Sequence, residues 1–221
     1  MRELFIYHHL GLGDHFICNG LVREWAAKSG NTYLICKFHN IKTIEQMYRD
    51  LNLRYYLVNR DEDVENIILP TNAEILKIGF HQLNDQQPFD QQFYSLAGVP
   101  FEKRWSSFKA NRDKNKEQKL IYQLKIPPKF ALLHEDQSRG YKIDRNKINL
   151  PIVRLEKMDG FTMIDWLAVA ELAAEIHVID SSFLSLADQS NLKAKLYFHK
   201  YSRNALDWLT PTTKKHWTTY D

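Results

Sequence analysis

The chain has 221 residues, of which 30 are basic and 27 acidic, and its formal net charge is +3. This near balance argues against a nucleic-acid-binding protein and against a protein that binds an anionic membrane surface. The hydrophobic content of 44% is enough for the core of one large domain or two small ones. The two cysteines, Cys18 and Cys36, exclude a disulfide-rich scaffold and favour a reducing compartment, which we take to be the cytoplasm. No apolar run has the length of a transmembrane segment.

Strand and helix patterns alternate at short spacing along the first half of the chain. Short β-branched or aromatic runs predict strands at 3–7, 32–36, 54–58 and 74–78. Apolar residues at helical spacing predict helices at 16–28, 41–50, 62–68 and 89–97. This alternation is typical of a parallel sheet with helices on both faces.

A polar run at 111–118 interrupts the pattern and indicates a surface linker or the exposed start of a helix. The pattern then restarts, with strands predicted at 130–134, 152–155, 176–179 and 195–198 and a helix at 162–174. We therefore predict an α/β fold of two small Rossmann-like units whose parallel sheets face each other across a cleft. The predicted units are 1–110 and 119–205, and the tail, 206–221, is predicted to pack back across the molecule.

The strongest candidate for a binding site is the turn after the predicted strand 176–179. It reads Asp180-Ser181-Ser182 and leads into a short apolar helix. A helix N-terminus presents free backbone N–H groups and the positive end of a dipole, which suit a phosphate or diphosphate. The plain alternative is a capped helix that binds nothing.

Two further groups of polar residues follow strands that are predicted to end at the same edge of this sheet. After the strand 130–134, the loop from His134 to Lys142 includes Asp136 and Arg139, and Arg203 follows the last strand. Guanidinium and ammonium groups bind phosphate oxygens, and ligands of open α/β sheets bind beyond the carboxyl ends of the strands. These loops together predict a diphosphate site, unless the charges of the middle loop only pair among themselves.

The first loop of the chain, 10–15, is rich in glycine. Gly13 allows a close backbone approach, and Asp14 and His15 are candidates for a general base that faces an acceptor hydroxyl. Asp14 is equally explained as a helix cap. The loop lacks the third glycine of a dinucleotide fingerprint, which argues against NAD. The nearby histidines have no carboxylate partner in register, so we expect no metal site.

The residues from Asp165 to Ala187 resemble the donor-site segment of GT-B glycosyltransferases, and specifically of the heptosyltransferase-like group. In that group a helix leads to a strand that ends in Asp-Ser-Gly, and two further residues, a His and a small apolar helix follow. The turn from Gly11 to Asp14 resembles the group's N-terminal Gly-Asp turn, whose aspartate acts as the catalytic base. Ser182 and Ser185 stand where the group has Gly and His, and the chain is much shorter than a usual member.

The resemblance implies a compact GT-B-like fold, with 1–110 as the acceptor side and 119–205 as the nucleotide-sugar-binding side. It implies a metal-independent inverting transferase of hexosyl or deoxyhexosyl type, which uses a UDP- or GDP-type sugar donor and a glycan acceptor in polysaccharide biosynthesis. Asp14 and His15 would be catalytic. The donor would be bound by ten residues: Gly13, His134, Asp136, Arg139, Lys142, Asp180, Ser181, Ser182, Ser185 and Arg203. A non-catalytic sugar-nucleotide-binding module of a larger protein or complex is the alternative.

Overall fold

The structure is a computed structural model that describes residues 3–68, 70, 72–203 and 205–221. It divides into two compact units, Met1–Asn111 (unit 1) and Arg112–Asp221 (unit 2). Five residues of the predicted units lie outside the described residues: Met1, Arg2, Leu69, Thr71 and Asn204. The predicted α/β fold of two Rossmann-like units is confirmed, because each unit is built on one parallel sheet with helices between its strands.

Unit 1 contains a four-stranded parallel sheet in the order β3-β2-β1-β4. Its strands are β1 Glu3–Tyr7, β2 Asn31–Lys37, β3 Leu53–Val58 and β4 Glu74–Lys77. Its helices are α1 Leu12–Ile17, α2 Asn19–Ala26, α3 Ile41–Tyr48, α4 Val64–Ile68, α5 Phe89–Leu96 and α6 Lys103–Ser106. The two central strands are almost continuously apolar because both of their faces are buried.

Unit 2 contains a five-stranded parallel sheet in the order β6-β5-β7-β8-β9. Its strands are β5 Ala131–His134, β6 Ile152–Arg154, β7 Glu175–Val178, β8 Lys195–His199 and β9 Thr218–Tyr220. Its helices are α7 Lys114–Leu124, α8 Leu167–Leu172 and α9 Ser182–Gln189. Of the helices in the described residues, α7 is the longest at 11 residues, and none has the length and apolar character needed to cross a membrane.

Three elements differ from the sequence-based expectation. The helix predicted at 16–28 begins earlier, at Leu12, and breaks at Cys18 into α1 and α2. The helix predicted at 162–174 begins as a 3-10 turn, Met163–Trp166, before α8. The polar run at 111–118 contains the start of α7, whose N-cap Asp113 accepts hydrogen bonds from two backbone N–H groups of the first turn. The second compact unit starts at Arg112, and its predicted start is 119.

The tail belongs to unit 2 because a buried carboxylate holds it there. Asp188 in α9 accepts hydrogen bonds from the backbone N–H groups of Lys214 and Lys215 and, at 3.0 Å, from Nε1 of Trp217. These bonds direct the next residues to β8, beside which they form the edge strand β9. The tail thus extends the sheet of its own unit.

Candidate functional site

Each sheet has a switch point, where the strand order reverses and the loops from neighbouring strands diverge. It lies between β1 and β4 in unit 1 and between β5 and β7 in unit 2. Ligands of open α/β sheets bind beyond the carboxyl ends of the strands at such a point. The predicted donor loops follow β5 and β7, so the topology brings them together at the switch point of unit 2.

A hydrogen bond joins these two loops directly. Nδ1 of His134, the last residue of β5, lies 2.9 Å from Oγ of Ser181, which follows β7. The two residues are 47 positions apart in the sequence. Burial lowers the pKa of His134 to about 4, despite the nearby carboxylates of Asp136 and Glu135, so the imidazole is neutral at pH 7. Two of the predicted donor residues are therefore partners of each other.

The N-terminus of α9 lies at this junction with its first backbone N–H groups unused. Ser181 is the N-cap, but its side chain makes no capping hydrogen bond because its hydroxyl meets His134. Leu184 donates its N–H to the Ser181 carbonyl, whereas the N–H groups of Ser182 and Phe183 have no acceptor among the described residues. Two free donors at the positive end of an eight-residue helix favour the binding of an anion.

An ion pair closes the other side of the junction. Nη1 of Arg203 lies 3.2 Å from Oδ2 of Asp180 and also donates to the Asp180 carbonyl oxygen, at 3.1 Å. Burial raises the pKa of Asp180, and the positive charges of Arg203 and Arg139 act in the opposite direction. The pair places a guanidinium group beside the N-terminus of α9.

The loop after β5 is organised mainly by its own charges. Asp136 accepts hydrogen bonds from Ser138, at 2.6 Å, and from the backbone N–H and Nε of Arg139, the latter at 2.6 Å. These contacts, the bond from Ser138 first, lower the pKa of Asp136. The side chain of Lys142 is exposed and has no partner among the described residues. Arg139 is thus already paired with Asp136 in its own loop, as the plain alternative for this loop predicts. Lys142 is available to a ligand.

Two predicted donor residues, Ser182 and Ser185, differ in burial. The half-buried Ser182 donates its hydroxyl to the sulfur of Met163 at 3.3 Å, and its role in donor binding stays a prediction. Ser185 is buried, which corrects the expectation that its hydroxyl binds the donor.

In unit 1 the predicted catalytic loop is the start of a helix. The N-cap of α1 is Gly11, so Gly13 and Asp14 both lie in the first turn and Asp14 is not the cap residue. A Cβ atom added to Gly11 would lie only 2.5 Å from Oδ2 of Asp14. The half-buried Asp14 carboxylate therefore lies directly against Gly11. Because Gly11 has no side chain, the carboxylate can occupy this space.

His15 does not reach the surface, and this corrects its assignment as a base. Its side chain is fully buried, and its ring packs edge-on against that of His8 at a centroid distance of 4.4 Å. Burial lowers its pKa well below the usual value, and neither ring nitrogen has a hydrogen-bond partner among the described residues. A side chain in this position cannot touch an acceptor. The described residues also contain no cluster of three or more side chains that could hold a metal ion.

Sequence reasoning missed the contact at the unit 1 switch point. The backbone N–H of Phe80, beyond β4, donates to Nε2 of His9, beyond β1, at 2.8 Å. Gly79 and Phe80 both have positive φ angles, 94° and 61°, and a side chain on Gly79 would collide with the rings of His9 and Phe93. The only sequence signal was the glycine itself, since positive φ favours glycine.

Comparisons with known proteins agree with this fold. No protein-family model matches the chain, and the search of curated proteins gave no match. Among solved structures, the chain is similar to the glycosyl transferase family 9 protein from Veillonella parvula DSM 2008. The TM-score is 0.62 and the identity 6%, over 99% of this chain and 85% of that one.

The chain is also similar to TibC, described as a bacterial iron-containing dodecameric glycosyltransferase, from enterotoxigenic E. coli H10407. Here the TM-score is 0.56 and the identity 10%, over 89% of this chain. The chain spans only 58% of the length of TibC. At these identities the similarity concerns the fold alone, and the chain has the fold of these two glycosyltransferases.

Proposed function

We propose that the chain transfers a sugar from a nucleoside-diphosphate sugar to a glycan hydroxyl, with inversion and without a metal ion. The observation that carries this proposal is the switch point of unit 2. There the His134–Ser181 hydrogen bond, the Asp180–Arg203 pair and the free N–H groups of α9 converge. The fold shared with two glycosyltransferases supports the same reaction class. A cytoplasmic role in polysaccharide biosynthesis is part of the proposal.

The chemistry needs stabilisation of the charge on the leaving group. When the acceptor oxygen bonds to the anomeric carbon, the bond to the diphosphate oxygen breaks and its electron pair leaves with the nucleoside diphosphate. The N–H groups of Ser182 and Phe183 and the charges of Arg203 and Lys142 would meet this negative charge. Groups that are fixed before the reaction stabilise developing charge without a cost of reorganisation.

The acceptor hydroxyl must lose its proton as it attacks, and Asp14 in unit 1 is the proposed base. Its carboxylate is half-buried and held over Gly11, which limits the positions it can occupy. A general base of this kind contributes about 10²–10⁴-fold to a rate. A single displacement with such a base inverts the configuration at the anomeric carbon.

The first test is a thermal-shift panel in EDTA with UDP, GDP, ADP, CMP and NAD. A ligand at 100 times its dissociation constant stabilises the folded state by about 2.7 kcal/mol, which moves the midpoint by a few degrees. We expect a shift with one nucleoside diphosphate and none with NAD. The variant Arg203→Gln should show a smaller shift with the same nucleotide.

Turnover is then measured with the sugar form of that nucleotide, with and without Mg²⁺. Release of the nucleoside diphosphate at an equal rate in EDTA supports a metal-independent transferase. Binding without release, in the presence of a panel of glycan acceptors, would instead indicate a sugar-nucleotide-binding module. No shift with any nucleotide would overturn the diphosphate site.

A further inference from the structure

Four side chains of unit 2 form a continuous line of hydrogen bonds that the sequence did not suggest. Oη of Tyr201 lies 3.2 Å from Nδ1 of His199, and Nε2 of His199 lies 3.0 Å from Nδ1 of His177. Nε2 of His177 in turn lies 3.3 Å from a carboxylate oxygen of Glu175. At the other end, the backbone N–H of Asp144 donates to Oη of Tyr201 at 2.8 Å. The line runs along one face of β7 and β8 to their carboxyl ends.

The carboxylate at one end fixes the direction of every hydrogen bond in the line. Burial lowers the pKa of His177 and of His199, so each ring carries one proton. A carboxylate only accepts, so the proton of His177 is on Nε2 and its Nδ1 accepts from Nε2 of His199. Nδ1 of His199 is then an acceptor as well, and it receives the hydroxyl proton of Tyr201. The Tyr201 oxygen keeps its lone pairs and accepts the backbone N–H of Asp144.

Aromatic packing holds the rings of this line in place. Tyr197 stacks on His177 with a centroid distance of 4.4 Å and an interplanar angle of 8°. Tyr220 of β9 lies 4.9 Å from the ring of His199. The side chains of His177 and His199 are fully buried. Buried, directed hydrogen bonds between packed rings allow little change of geometry.

The segment that carries Tyr201 contacts both loops of the proposed donor site. Tyr201 holds Asp144, at the end of the loop that contains Arg139 and Lys142. Two residues later, Arg203 pairs with Asp180 beside the N-terminus of α9. We infer that Tyr201, supported by His199, His177 and Glu175, is a positioning residue that sets the distance between these two loops for a bound diphosphate. The inference rests on the proposed function for the identity of the ligand.

The test compares Tyr201→Phe with the wild type in two measurements. Hydrogen exchange of residues 137–147, without ligand, reports whether the hydroxyl holds the loop. Calorimetric titration with inorganic pyrophosphate in EDTA reports whether the loop position matters for binding. We expect faster exchange and about two- to tenfold weaker binding, because a hydrogen bond of ordinary net strength is lost. The matched control is Tyr122→Phe, the same chemical change at a side chain that is 84% exposed on α7.

A second pair of variants acts from the far end of the line. Glu175→Leu removes the acceptor of His177 and should change exchange and affinity in the same direction as Tyr201→Phe. Glu175→Gln keeps an acceptor oxygen and should stay close to the wild type. This pair separates loss of the hydrogen-bonded line from loss of the Tyr201 hydroxyl alone.

Each outcome decides the inference. The positioning role would be overturned if Tyr201→Phe and Glu175→Leu both exchanged at the wild-type rate. It would also be overturned if exchange were faster but the pyrophosphate affinity unchanged. If the wild type binds no pyrophosphate, the diphosphate site itself fails, and the positioning role fails with it. That result differs from the others because it is already seen in the wild type.

Discussion

At each switch point, a histidine at or just beyond the carboxyl end of the unit's first strand is hydrogen-bonded to the segment that follows the neighbouring strand. In unit 1, His9 accepts the backbone N–H of Phe80. In unit 2, His134 is bonded to the hydroxyl of Ser181. The two contacts occupy the same topological place, but their surroundings differ in chemistry.

Around His9 the packing is aromatic. Phe80 lies with its ring centroid 4.6 Å from those of His9 and Tyr7, and its backbone has the positive φ that non-glycine residues rarely adopt. The ring of His134 is hydrogen-bonded to Ser181 and lies 5.7 Å from that of Phe183, at the N-terminus of α9. Unit 1 thus has a mainly aromatic edge at its switch point, and we propose that the edge of unit 2, which carries the Asp180–Arg203 ion pair, binds an anion. The predictions below test this division of roles.

The largest effect is expected from Asp14→Asn. Turnover should fall about 10²–10⁴-fold because the amide cannot accept the acceptor proton. Pyrophosphate affinity should not change, since the proposed diphosphate site lies in unit 2. Steady-state turnover and calorimetry check the two halves of the prediction, with Asp85→Asn on the exposed surface as control. Equal losses of binding and turnover would contradict a role confined to proton transfer.

Acid should destabilise both units through their buried histidines. Burial lowers the pKa of His8 in unit 1 and of His134 in unit 2 to about 4, against about 6.5 in the unfolded chain. The unfolded state therefore binds more protons, and stability present above pH 6.5 is lost as the pH falls towards 4. For the fully buried His8 the loss at pH 5 is roughly 2 kcal/mol.

Urea unfolding between pH 7.5 and 5 measures this loss. The variant His8→Asn should reduce the pH dependence, whereas His216→Asn, at an exposed position, should leave it as in the wild type. An equal pH dependence in all three proteins would show that His8 does not resist protonation in the folded state.

Arg203→Gln tests the ionic edge of unit 2. We expect about tenfold weaker pyrophosphate binding, because a charge-assisted hydrogen bond to the ligand is lost. Arg139→Gln is the matched comparison, since the Arg139 guanidinium is already paired with Asp136 in its own loop. Titration calorimetry should therefore show the smaller loss for Arg139→Gln. A larger loss there would mean that Arg139 leaves Asp136 for the ligand.

Gly11→Ala should give the smallest effect, about tenfold or less in turnover. The backbone of Gly11 has φ −67°, which alanine adopts easily, so the thermal midpoint should hold. The added Cβ would meet Oδ2 of Asp14 at 2.5 Å and displace the carboxylate. In the Asp14→Asn background the substitution should cost little more, because the base is already absent. Independent, multiplying effects in this double-mutant cycle would contradict the proposed link between Gly11 and Asp14.

Local patterns in the sequence were enough to predict the architecture. Alternating apolar runs and amphipathic stretches place most strands of both sheets within a residue or two, because burial on both faces requires those runs. The Asp180-Ser181-Ser182 turn predicts the N-terminus of α9 because serine is a common N-cap residue. Gly11 and Gly13 predict a turn, but α1 starts between them.

Tertiary structure alone decided which of the predicted polar residues are buried and which side chains they contact. The bond from His134 to Ser181 and the line from Glu175 to Tyr201 join strands that are distant in sequence, so strand order determines them. His15 and Ser185 are polar residues of kinds that often lie at a surface, but both are buried in this fold. The sequence by itself determined the elements, since propensity and periodicity are local. The side-chain partners depended on packing between elements, which no local pattern records.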